Sequence, residues 1–124
     1  MNSVQQPRRI SIVDDDASIR EALKGLMRSV NFNVETFPSA EEFLASERCG
    51  DTECLILDVY LPGMNGFELQ ERLQRKIPII FITAHADEVS RRRAMSAGAA
   101  EFLAKPVRRE ILFDAIESAT RGGR

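Results

Sequence analysis

Four aspartates, a threonine and a lysine stand at the ends of apolar runs, and they are the residues of this sequence best placed for chemistry. Asp14, Asp15 and Asp16 follow Arg9 to Val13, Asp58 follows Leu55 to Leu57, Thr83 closes Ile79 to Ile82, and Lys105 ends Ala100 to Ala104. Short apolar runs bounded by turn residues read as strands, so each polar group falls at a strand's carboxyl end. In an open α/β sheet that rim is where ligands bind. Asp14, Asp15 and Asp58 brought together would repel and hold their protons more tightly unless a cation compensated them. Carboxylate oxygens with retained water suit Mg²⁺ better than zinc, so the cluster predicts a magnesium site. With Thr83 and Lys105 on the same rim, the set fits a phosphoryl group: metal and ammonium neutralise its oxygens and the hydroxyl donates to it.

Each residue also has a plainer use. Asp is favoured at helix amino termini, so Asp14 to Asp16 could simply cap the following helix. Thr83 alone is an ordinary strand-end hydroxyl and Lys105 alone a solvated lysine. One aspartate suffices for a cap, however, and three in a row matched by Asp58 exceed that need.

The elements that must position these groups are legible from periodicity. Ile19, Ala22, Leu23, Leu26, Met27 and Val30 recur at helical spacing, with Ser18 and Glu21 placed as a capping box. A second strand is expected near Asn33 to Phe37, followed by a short helix with a Ser39/Glu42 box that buries Phe43 and Leu44, and then a loop containing Gly50. After Asp58 a Pro62-Gly63 turn leads to a helix opened by Asn65 and Glu68, with Phe67, Leu69 and Leu73 inward and Lys76 and Pro78 marking its end. Asp87 to Ala97 reads as a helix with a thin stripe of Val89, Ala94 and Met95 and a Gly98 stop. Ile111, Leu112, Ala115, Ile116 and Ala119 define the last helix. Five strands alternating with five helices predict a doubly wound parallel (βα)5 sheet, because parallel neighbours need crossover helices. The order 2-1-3-4-5 would set strands one and three side by side and bring Asp14, Asp15 and Asp58 together.

Composition narrows the class. The 124 residues, 44% hydrophobic and 29% charged, suit one domain, expected over 9–120 between a loose lead-in at 1–8 and a frayed tail at 121–124. A net charge of -2 argues against non-specific nucleic-acid binding. No apolar stretch approaches the roughly 20 residues of a membrane span, so no membrane role and a cytoplasmic location are expected. Cys49 and Cys54 lack further metal ligands and CxxC spacing, and read as free thiols.

The residues Val13-Asp14-Asp15, Leu57-Asp58 with Pro62-Gly63-Met64-Asn65-Gly66, Ile82-Thr83-Ala84, and Gly98-Ala99 through Phe102 to Lys105-Pro106 resemble the receiver domain of two-component response regulators. The likeness runs from about Arg9 to Thr120 and is nearest to the nitrogen-fixation type of receiver. It implies a flavodoxin-like fold. It also implies that Asp58 takes a phosphoryl group from a phosphohistidine on a sensor histidine kinase or histidine phosphotransfer protein. Asp14, Asp15, Asp58 and the Tyr60 carbonyl would hold Mg²⁺, and Lys105 would pair with the phosphoryl oxygens. Thr83 and Phe102 would be switch residues that alter the face of the fourth helix, fifth strand and fifth helix. That face would meet a downstream protein or a second copy. The Lys105-Pro106 bond would be cis.

Tyr60 and His85, two residues beyond Asp58 and Thr83, are expected to flank the site. Arg91 to Arg93 read as a solvated face, and Phe113, off the buried stripe, as a modest partner contact. The stretch from Asp58 to Thr83 is short for the family. The reading is a stand-alone receiver without DNA-binding capacity of its own, and not an enzyme beyond self-phosphorylation and self-dephosphorylation. Three alternatives stay open: a receiver-like module working without phosphorylation, a receiver fragment of a transcriptional regulator, and a haloacid-dehalogenase-like phosphatase in which Asp14, the first of Asp14, Asp16 and Ser18, would be the nucleophile.

Overall fold

The computed structural model describes residues 6–121. Five strands, β1 (Arg9–Val13), β2 (Asn33–Phe37), β3 (Cys54–Leu57), β4 (Ile79–Thr83) and β5 (Glu101–Ala104), form one parallel sheet in the order β2-β1-β3-β4-β5. Helices α1 (Ala17–Ser29), α2 (Ala40–Ala45), α3 (Arg48–Asp51), α4 (Gly66–Arg72), α5 (Glu88–Ser96) and α6 (Arg109–Arg121) connect and flank them. The doubly wound class and strand order expected from the sequence are those observed.

Side chains alternate across a strand, and the alternation divides the core into two layers. Val13, Leu55, Leu57, Ile79, Phe81 and Phe102 face one side with Phe43 of α2, Phe67 and Leu69 of α4 and Ala94 of α5. Ile10, Ile12, Cys54, Ile56, Ile80 and Ile82 face the other with Leu23 and Met27 of α1 and Leu112, Ala115 and Ile116 of α6. β3 and β4 are buried at every position, as continuous apolar runs covered on both faces should be.

Several expectations need correction. Asp16, not Ser18, caps α1: its carboxylate accepts the N–H groups of Ser18 and Ile19, so the Ser18/Glu21 box does not form. Ser39 caps α2 through the Glu42 N–H, and Asn65 with Glu68 forms a complete capping box. Where a loop around Gly50 was expected, the short α3 runs from Arg48 to Asp51, giving six helices among the described residues instead of five. α4 stops at Arg72, ahead of the Lys76 and Pro78 boundary. Val89 is 75% exposed, and α5 buries only Ser90 and Ala94. On α6 the roles of two residues are exchanged: Ile111 is exposed, whereas Phe113 packs against the core with its ring edge-on to Phe32. Residues 1–5 of the expected lead-in and 122–124 of the expected tail lie outside the described residues, and Arg121 is helical.

Candidate functional site

Register, not local sequence, assembles the site. Val13 is paired with Leu57 and Thr83 with Ala104, so the next residues, Asp14, Asp58 and Lys105, emerge together at the carboxyl edge. Backbone bonds extend the ladders beyond the strands: the Asp58 N–H donates to the Val13 carbonyl at 3.1 Å, and the Lys105 N–H donates to the Thr83 carbonyl at 2.9 Å. The side chains are thus set by the sheet.

The Lys105 ammonium donates to Asp14 Oδ2 at 2.9 Å and to Asp58 Oδ2 at 2.8 Å. Asp14 and Asp58 are buried, while Asp15 is exposed. Burial pushes the Asp14 carboxyl above its ordinary value, against the opposing pull of the Lys105 hydrogen bond. Burial alone would lower the Lys105 pKa, but its hydrogen bonds to Asp14 and Asp58 outweigh this and raise it. Oxygens of Asp14, Asp15 and Asp58 lie within 4.8 Å of one another. One ammonium cannot neutralise three carboxylates, and an all-oxygen set of this kind fits Mg²⁺.

The neighbours of Asp58 are equally ordered. Its Oδ1 accepts the Tyr60 N–H at 3.2 Å, which fixes the carboxylate plane and starts the loop to α4. Thr83 is fully buried, and its hydroxyl accepts the His85 N–H at 3.4 Å, keeping its own proton to donate. Tyr60, 49% exposed, meets the His85 ring edge-on with centroids 5.6 Å apart. Phe102 lies buried beneath, 5.9 Å from Phe81, and the Lys105-Pro106 bond is cis.

Three residues matter here in ways the sequence reading missed. Gly66 packs so closely under the strand end that an added Cβ would meet the Asp58 carbonyl oxygen and the Phe81 ring. Arg91, Arg92 and Arg93 are all exposed, as expected of a solvated face, but the guanidinium of Arg93 also lies 4.3 Å from the Phe67 ring centroid and so ties α5 to α4. Glu41 of α2 accepts the Met64 N–H. Only Gly66 had a sequence signal, as a glycine inside a motif; the other two contacts join separate elements.

Comparison with known proteins agrees with this geometry. The family model for the response regulator receiver domain matches residues 10–117. Nodulation protein W of Bradyrhizobium diazoefficiens is 47% identical over 118 residues, covering 93% of this chain and 52% of the relative. The response regulator protein TodT of Pseudomonas putida is 44% identical over 115 residues, covering 90% and 51%. A solved structure titled FixJ-N superposes with a TM-score of 0.82 at 35% identity, covering 94% of this chain and 96% of that one. This sheet, with its acidic carboxyl edge, defines a phosphorylation-signalling module of the flavodoxin-like class. The chain belongs to the response regulator receiver domain family. It spans about half the length of the curated relatives it matches. Membership in this family sets aside the phosphatase-like alternative.

Proposed function

We propose that Asp58 is the phosphoryl acceptor of this receiver, with Lys105, Thr83 and a Mg²⁺ held by Asp14, Asp15, Asp58 and the Tyr60 carbonyl as its machinery. The observation that carries the reading is the Asp58 carboxylate, held at one oxygen by Lys105 and at the other by the Tyr60 N–H, beside two further aspartates. An Asp58 oxygen attacks the phosphorus of a phosphohistidine. The P–N bond breaks with its electron pair left on the imidazole nitrogen, and an acyl phosphate forms. Bound Mg²⁺ supplies charge neutralisation for the phosphoryl oxygens. Lys105 transfers its contacts from the carboxylates to those oxygens, and the Thr83 hydroxyl donates to them. The donor is a sensor histidine kinase or histidine phosphotransfer protein, and the setting is cytoplasmic. The chain catalyses nothing beyond its own phosphorylation and dephosphorylation.

The output is an altered face of α5, β5 and α6 that meets a downstream protein or a second copy. Its support is the light anchoring of α5 together with exposed Val89 on α5 and Ile111 on α6. Phe102 beneath that face and Thr83 at the site are the coupling residues. The stand-alone reading is part of this proposal, tested by the mass of the native protein in cell extracts.

Intact mass after incubation with acetyl phosphate tests the chemistry. The native chain should gain one Mg²⁺-dependent, hydroxylamine-labile phosphoryl group, and Asp58→Asn should gain none. An adduct retained in Asp58→Asn but lost in Asp14→Asn would move the nucleophile to Asp14. No adduct, even with a donor kinase, would favour a phosphorylation-independent module.

A further inference from the structure

Between Asp58 and α4 the chain makes an excursion through exposed Tyr60, Pro62 and Gly63 and half-buried Met64, with Leu61 buried in the core. Its neck is closed locally: the Gly66 N–H donates to the Val59 carbonyl at 2.8 Å, and Asn65 and Glu68 bond each other. Among the described residues, one hydrogen bond ties this excursion to another element. Glu41 Oε2, on α2, accepts the Met64 N–H at 2.9 Å. Gly63 makes the approach possible, since it adopts φ 74° and a Cβ there would lie 2.6 Å from Glu41 Oε2. Two independent features, a carboxylate reaching across from α2 and a left-handed glycine that leaves room for it, therefore converge on one backbone amide.

We infer that Glu41 is a positioning residue that clamps the β3–α4 loop and thereby pre-organises the Mg²⁺ site. The inference rests on the reading of that site given above. Its reasoning is that the loop begins at the Tyr60 N–H bond to Asp58 and carries the Tyr60 carbonyl, so slack at Met64 is felt at a proposed ligand. The charge of Glu41 is suited to the task. The Met64 hydrogen bond holds its carboxyl below the ordinary carboxylate range, so it stays an ionised acceptor at neutral pH. Outer contacts that orient ligands commonly shift metal affinity by about 10–100-fold, and an exposed clamp should fall at or below the lower end of that range.

The sequence provides its own probe. Tyr60 is the only tyrosine and tryptophan is absent, so intrinsic fluorescence reports on the site alone. Mg²⁺ would be titrated against the native chain, Glu41→Ala and Glu41→Gln, with amide hydrogen exchange of Val59 to Asn65 followed in metal-free protein. Glu41→Ala should weaken Mg²⁺ binding by about 3–10-fold and speed exchange at Met64. Glu41→Gln, which keeps an acceptor oxygen, should recover most of both. An Ala variant that binds within twofold of a Mg²⁺-responsive native chain would overturn the clamp and leave the site reading intact. A native chain without any Mg²⁺ response would overturn the site reading and the clamp with it.

Discussion

Asp14 concentrates the electrostatic tension of the site. It shares Lys105 with Asp58, and burial raises its pKa above the ordinary 3.8. A carboxyl whose native pKa exceeds its unfolded value contributes stability that is present below the unfolded value and lost as pH rises through the native one. Without metal, the native chain should therefore lose stability across the mildly acidic range just above 3.8. Asp14→Asn lacks that ionisation, and the gain should be about 1 kcal/mol at pH 7, within the range that single stabilising substitutions commonly yield. Urea unfolding in EDTA at pH 7 and pH 4 checks this. The gap between variant and native should shrink on acidification, and a gap that widens would contradict the argument. Lys105 behaves differently: its raised pKa keeps its contribution intact through neutrality, to be lost only as pH climbs above 10.5.

The elements differ in how firmly they are held. α1 and α6 lay buried stripes on one sheet face, whereas α5 relies on Ser90, Ala94 and the stacking of Arg93 on Phe67. α4 is anchored by contact at its first residue. Gly66 lies against the Asp58 carbonyl and the Phe81 ring, so a methyl group there must push the helix from the strand end that carries Asp58. Gly66→Ala should cost about 1–3 kcal/mol, the range of core overpacking, and should impair phosphorylation of Asp58 as well. Thermal unfolding and the acetyl phosphate assay together read this, and a variant of native stability with native phosphorylation would contradict it.

At the scale of the molecule, the two core layers decide which groups reagents can reach. Cys54 lies in the sheet, and burial pushes its thiol up to about 12. Cys49 on α3 is half-buried and only packs against the opposite layer. In the folded chain a thiol reagent should label Cys49 well before Cys54, and both should react alike in denaturant. Counting modified thiols by mass under the two conditions is the check, and prompt labelling of Cys54 in native protein would mean that the sheet opens readily. Among the described residues no helix is long and apolar enough to cross a membrane.

The sequence by itself determined the strands, their alternation with helices and the chemical character of their ends. These depend on periodicities of a few residues, and Asp14, Asp58, Thr83 and Lys105 were legible because each directly follows or closes an apolar run. Tertiary structure alone decided what depends on residues distant along the chain. Val89 stays exposed although it falls in the periodic stripe, and Arg93 stacks on Phe67, a residue of the separate helix α4. Phe113 displaced Ile111 from the inner surface because Phe32, after α1, presents its ring there. Asp16 capped α1 in place of Ser18 because the first turn begins at Ala17, where the chain leaves the sheet. Glu41 reached Met64 because Gly63 left it room. A local pattern specifies the character of a side chain, but its partner is set by how two elements pack, and no periodicity in either element records that.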